Sequence, residues 1–170
     1  GEKIERVRES AAQFVRQMGD DDFLTVIAFN SVPQVVVARE RVAVVRGSAI
    51  AAINTLSAAG DTALFDSVAQ AADSVAESAS ASRTNIIVVL SDGKDTSSKR
   101  HTMSPSLTSL AVQNDTSLFT IAYGQDAAAD VMSELANKSN GSYFVGSVAN
   151  IDEIYQEMSA AFGGNVGVGR

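Results

Sequence analysis

In the first eighteen positions, Ile4, Val7, Ala11, Phe14, Val15 and Met18 recur at intervals of three and four, with charged and polar residues between them. That period predicts an amphipathic helix over Glu2 to Met18. Gly19 and the run Asp20, Asp21, Asp22 end it. Phe23 to Phe29 is then an apolar run of residues that favour strands. Asn30, Ser31, Val32 and Pro33 supply a tight turn, so Gln34 to Ala38 should return as an antiparallel edge strand.

The rest of the chain alternates. A helical stretch is expected from Ser48 to Leu56, then a loop at 58 to 62, then a helix with Leu64, Val68, Ala71, Ala72 and Val75 on one face. Asn85 to Leu90 is short and apolar between polar segments, as a strand buried on both faces of a parallel sheet would be. After a further helix come strand Leu118 to Ala122, helix Ala127 to Ala136, strand Ser142 to Val145 and helix Ile151 to Phe162. The last helix starts with Asn150 and Glu153 close to a capping box and buries Ile151, Ile154, Tyr155, Met158 and Phe162. The serine-rich runs at 78 to 84 and 104 to 109 read as loops. Strands separated by helices imply an α/β fold, a doubly wound and mostly parallel sheet with one antiparallel edge strand and helices on both faces. Residues 1 to 162 read as one domain, and Gly163 to Arg170 as a flexible tail.

Composition narrows the function. The 170 residues are 45% hydrophobic, enough for a sizeable core, and carry a net charge of -7 with no basic cluster larger than the pair Lys99 and Arg100. Nucleic acid and anionic membrane surfaces are therefore poor partners. There is no cysteine, which excludes thiolate zinc sites and leaves the compartment open. No apolar run approaches the length of a membrane span, and direct membrane insertion is not expected.

Ligands of open parallel sheets bind at the carboxyl ends of the strands, which directs attention to two loops. One is Ser91-Asp92-Gly93-Lys94-Asp95-Thr96 after the apolar strand; the other is Gly60-Asp61-Thr62-Ala63-Leu64-Phe65-Asp66 at the start of a helix. The Asp92 carboxylate and the Thr62 hydroxyl are hard oxygen donors and suit Mg²⁺, which takes few protein ligands and keeps several waters. The alternative is that Asp92 forms a turn and that Asp61 or Thr62 caps a helix, and Asp66 and Asp95 read as capping or solvated groups.

These two loops, in this order, resemble those of the von Willebrand factor type A (vWA) domain, a Rossmann-like fold with a metal-ion-dependent adhesion site. The resemblance runs from Gly1 to about Phe162, and the hairpin Phe23 to Ala38 and the segment Ile121 to Asp126 also fall where that family has them. It implies Thr62 and Asp92 as ligands of Mg²⁺ or another divalent cation. It also implies a first strand ending in Asp-x-Ser-x-Ser, which does not precede the helix starting at Glu2 in these residues. The expectation is that residues before Gly1 complete the site in a longer protein, and that the 170 residues alone hold the metal weakly or not at all. In the family that strand lies between those at Phe23 to Phe29 and Asn85 to Leu90. The gap is expected to be filled by another chain or by residues before Gly1, not closed by direct pairing of its walls.

The function expected from the resemblance is a protein-binding or adhesion module that engages a partner's Asp or Glu carboxylate. A metal-independent scaffolding domain is the alternative. A dimer through the sheet gap is a further partner expected, and the exported bacterial members are the favoured setting. An enzyme is not expected: there is no glycine fingerprint, Walker loop or nucleophile elbow, and the lone His101 has no partner at a recognisable spacing. The Gly163 to Gly169 run has neither a strand before it nor a helix after it, unlike a phosphate cradle. Asn-x-Ser/Thr triplets at Asn114, Asn137 and Asn140 receive no role.

Overall fold

The computed structural model describes residues 2–57, 61–78, 82, 85–91, 95–96, 98–100, 102–112, 116–123, 128–147 and 149–161. The elements are α1 (Glu2–Gln17), β1 (Phe23–Phe29), β2 (Pro33–Arg41), α2 (Val42–Asn54), α3 (Leu64–Ser78), β3 (Asn85–Ser91), α4 (Pro105–Val112), β4 (Thr116–Ala122), α5 (Ala129–Asn137), β5 (Tyr143–Val145) and α6 (Ile151–Ala161). The predicted α/β fold and its alternation hold, and among the described residues the strands are laddered as an antiparallel pair β1-β2 and a parallel sheet in the order β3-β4-β5.

The hairpin lies where the pattern put it, with β2 longer than expected because the ladder continues to the pair Phe23 and Arg41. Register shifts on either side of Val26 bend β1. The free margin of β2 carries Arg39, Glu40 and Arg41, charges that discourage edge-to-edge association, and the Arg39 guanidinium sits 4.0 Å over the Phe23 ring.

β4 is the strand sealed on both faces. Leu118 and Ala122 pack with α3, α4 and α5 through Leu64, Val68, Leu107, Met132 and Leu135. Phe119, Ile121 and Tyr123 pack on the other side with α1 and α6 through Phe14, Ile154, Tyr155 and Met158. The Phe14 and Tyr155 rings meet edge to face at 5.0 Å. The Thr120 hydroxyl, buried within β4, donates to the Met132 carbonyl at 2.7 Å.

β3 was expected to be buried on both faces and is not. Ile87 and Val89 are buried, whereas Ile86, Val88 and Leu90 are half-exposed, as is every residue of β1. The cause is a missing neighbour. Val26 pairs with Val37 and Val88 with Phe119, and no strand lies between β1 and β3 among the described residues. The direct pairing that would have closed the gap does not occur. On α1 and α3, Ile4, Val7, Ala11, Ala71 and Val75 are half-exposed for the same reason: they face that gap.

Three local expectations need correction. α2 begins at Val42, six residues before Ser48, despite its β-branched run and Gly47. Tertiary contacts override propensity there: Val42 is fully buried, its amide donates to the Asp22 carbonyl, and Arg46 reaches the Val15 and Arg16 carbonyls and Asp20. The serines near 104 to 109 do not form a loop but start α4, whose Leu107 amide donates to the Ser104 hydroxyl. Asn150 does not build a capping box. Its side chain accepts from the Ser147 amide and hydroxyl and donates to the Val145 carbonyl, tying the β5 exit instead. Phe162 and the tail lie outside the described residues. Among the described residues, no helix is long and apolar enough to cross a membrane.

Candidate functional site

Strands β1, β3 and β4 deliver their carboxyl ends to one rim. The Asn30 carbonyl accepts from the Ala63 amide at 2.7 Å, and the Ser31 hydroxyl accepts from the Asp61 amide at 3.3 Å. These bonds join the exit of β1 to the loop before α3. The Ser91 carbonyl accepts from the Tyr123 amide at 2.9 Å, joining the exits of β3 and β4.

The two loops singled out in the sequence are clasped together. The Thr62 amide donates to the Thr96 hydroxyl at 2.8 Å and the Thr96 amide returns a bond to the Thr62 carbonyl at 2.8 Å. Asp95 accepts from the Phe65 amide at 3.1 Å and from the Ser98 hydroxyl at 2.5 Å. The Asp66 amide donates to the Ser98 hydroxyl at 3.0 Å, and the Asp66 carboxylate accepts from the Lys99 and Arg100 amides at 2.8 and 3.2 Å. The first amides of α3 are thus satisfied by residues about thirty positions away, and a carboxylate at the positive end of the helix dipole adds to the clasp.

Asp95 therefore caps α3, whereas the Asp66 carboxylate, within α3, holds the Lys99 and Arg100 amides of the facing loop. The capping alternative for Asp61 and Thr62 is not what the structure shows: neither side chain bonds an α3 amide among the described residues. The half-buried Thr62 hydroxyl has no hydrogen-bond partner among the described residues. Asp92, the other candidate ligand, lies outside the described residues, as do Gly93, Lys94 and His101. The sequence reading missed Thr96 and Ser98. The signal was present in Asp95-Thr96-Ser97-Ser98, a run of residue types that cap helix ends.

A hard divalent cation would accept the Thr62 hydroxyl as a ligand, and the clasp holds that hydroxyl's backbone still. The described residues fit such an ion only in part: they contain no group of three His, Cys, Asp or Glu able to hold a metal. Tyr123, just beyond β4, has its phenol pushed up by burial, which nearby Ser10 partly offsets. That side chain faces α1 and α6 and not the Thr62 loop.

Because the Asp95 carboxylate serves an α3 amide and Ser98 together, Asp95→Ala should cost about 1 to 2 kcal/mol, in the range of a lost cap. Urea denaturation is the measurement. A loss below about 0.3 kcal/mol would show that the clasp does not hold α3 in solution.

Among solved structures, the chain is similar to a von Willebrand factor type A protein from Catenulispora acidiphila, with TM-score 0.79 and 23% identity over 93% of this chain and 38% of that one. The chain thus spans well under half of that structure's length. It is similar to BatB from Bacteroides thetaiotaomicron with TM-score 0.75 and 14% identity over 94% of this chain and 88% of that one. Proximal thread matrix protein 1 from the mussel byssus, described with a zinc-occupied MIDAS motif, aligns with TM-score 0.59 and 16% identity over 87% of this chain and 37% of that one. Comparison with curated protein sequences finds no match. The family model described as von Willebrand factor type A domain matches residues 1–157. On that match, supported by the shared fold, the chain belongs to the von Willebrand factor type A domain family.

Proposed function

We propose that this domain is a protein-binding module, not an enzyme, that works through a divalent cation, Mg²⁺, held at the rim above β3. Thr62 and Asp92 are its ligands from these residues, and the remaining ligands come from a segment outside them. When bound, the ion supplies an open coordination position for an Asp or Glu carboxylate of the partner protein. The observation that carries the reading is the contrast within the rim: Asp66 and Asp95 are committed to backbone amides, while the Thr62 hydroxyl is left without a partner among the described residues. Family membership supports the protein-binding role, and the zinc-occupied MIDAS motif of the mussel protein supports a metal at this rim.

Calorimetric titration of the 170-residue chain with Mg²⁺ should give a dissociation constant on the order of millimolar or weaker, because one hydroxyl and one carboxylate make few of the ligands such an ion needs. Micromolar binding would overturn the assignment of the other ligands to an outside segment. In a longer protein that carries them, Thr62→Ala should weaken cation-dependent partner binding by about tenfold or more, roughly 1.4 kcal/mol. Partner binding indifferent to both chelation and Thr62→Ala would establish the metal-independent scaffold instead.

A further inference from the structure

The triplet Asn140-Gly141-Ser142, without a role so far, joins α5 to β5. Asn140 lies in the left-handed region at φ 56°, which its short amide side chain tolerates and most side chains do not. One residue on, the Gly141 amide donates to the Ala136 carbonyl at 2.9 Å, the bond that ends a helix in a Schellman motif. Gly141 itself has no room for a side chain, because a Cβ there would fall 1.7 Å from the Leu118 carbonyl oxygen. The fold thus favours glycine, asparagine or aspartate at position 140 and demands glycine at 141. The turn is anchored on both sides: the Ser139 carbonyl accepts from the Leu118 amide at 3.0 Å, and the Ser142 carbonyl from the Thr120 amide at 3.2 Å. Asn140 is exposed, so water reaches its side chain.

Asn-Gly is the pair in which a backbone nitrogen most readily attacks a side-chain amide, since glycine sets no side chain beside its nitrogen and leaves the backbone free to turn. Asn140-Gly141 is the only such pair in the chain. From these features we infer that it is a latent site of spontaneous deamidation, held shut by the fold and released whenever the α5-β5 turn opens. In the reaction the Gly141 nitrogen gives up its proton and bonds to Asn140 Cγ. The Asn140 Nδ2 leaves with a proton as ammonia, and a succinimide ring remains. Water then opens the ring. Breaking the bond from the Gly141 nitrogen to Cγ gives aspartate. Breaking its bond to the Asn140 main-chain carbonyl carbon gives isoaspartate, whose backbone runs through the side chain and is one methylene longer. The native turn opposes the first step twice. The Gly141 N–H is engaged by the Ala136 carbonyl, and the anchors at Ser139 and Ser142 resist the rotation that would bring the Gly141 nitrogen onto Cγ. The isoaspartyl product does not fit back into the turn, because an extra methylene between those anchors meets the Leu118 carbonyl that already excludes a Cβ at Gly141. An aspartate at position 140 does fit, since it too tolerates left-handed backbone. Each opening that reacts is therefore recorded irreversibly, and chains that carry isoaspartate leave the folded population. The inference does not depend on the cation reading.

The test incubates the 170-residue chain at mildly alkaline pH, folded in buffer and unfolded in guanidinium chloride, with Asn140→Gly alongside. Mass spectrometry of the tryptic peptide that begins at Ser139 follows the mass gain of deamidation, and electron-transfer fragmentation separates aspartate from isoaspartate at position 140. The expected result is a rate in the folded chain about thirtyfold or more below that in the unfolded chain, because the reaction draws only on the small population with the turn open. When guanidinium is removed, size exclusion should return unmodified and aspartyl chains in the folded peak and isoaspartyl chains outside it. Asn140→Gly should fold, since glycine suits the left-handed position, and should show no mass gain at position 140. A folded-state rate within about threefold of the unfolded one would mean that the fold does not guard the bond. Isoaspartyl chains in the folded peak would mean that the turn has room for the longer backbone. Either outcome overturns the proposal.

Discussion

Gly141→Ala should abolish stable folding or lower the melting temperature by about 10 °C or more, the largest effect expected of a single added methyl group among the described glycines. A Cβ built on Gly141 would lie 1.7 Å from the Leu118 carbonyl oxygen and 2.5 Å from its carbonyl carbon. Both are backbone atoms, and neither can move freely. The Leu118 amide is held by the Ser139 carbonyl at 3.0 Å, the Gly141 amide by the Ala136 carbonyl at 2.9 Å, and the turn between passes through Asn140 at φ 56°. The α5-β5 connection is therefore pressed against the most buried strand of the sheet. Making room would displace β4 from its ladder with β5, at a cost of about 4 kcal/mol or more. Differential scanning calorimetry is the check. A variant within about 2 °C of the parent would mean that the turn does not pack on Leu118 as the structure has it.

Leu135→Ala should cost about 3 kcal/mol, whereas Val88→Ala should cost only about 1 kcal/mol, although both residues lie in apolar segments. Leu135 is fully buried on α5 against Leu64, Leu118 and Met132, so its removal leaves a cavity that rigid neighbours cannot fill. Val88 is half-exposed and borders the gap between β1 and β3, so less transfer energy is lost and the space is already open. Paired urea titrations decide the matter. Equal costs would mean that the gap is closed in solution.

The two comparisons expose a division between the halves of the molecule. β4, flanked by β3 and β5 and covered by helices on both faces, forms the rigid part. β1 and β2 join it through the helices α1, α2 and α3 and through the rim bonds at Asn30 and Ser31, not through a shared sheet. The rim built across that division depends on the clasp from Thr62 to Arg100 to keep its two sides in register.

Sequence alone determined whatever depends on near neighbours and on period. The stripes of α1, α3 and α6, the hairpin at Asn30 to Pro33, the alternation of strands with helices, and the placing of Thr62 and Asp95 in rim loops all follow from residue order. Tertiary structure decided what depends on partners distant in the chain. It extended α2 back to Val42 by docking its first turn on Asp20 and Asp22, and turned a serine run into the start of α4. It also made Ser98, and not Asp61 or Thr62, the residue that meets an α3 amide alongside Asp95, and paired Thr96 with the Thr62 backbone just before the helix. Most of all, it decided burial. Val26 and Val88 look in the sequence like sealed core, because apolarity records what a residue can bury against. Whether that surface is covered depends on a neighbouring strand, and between β1 and β3 none of the described residues supplies one.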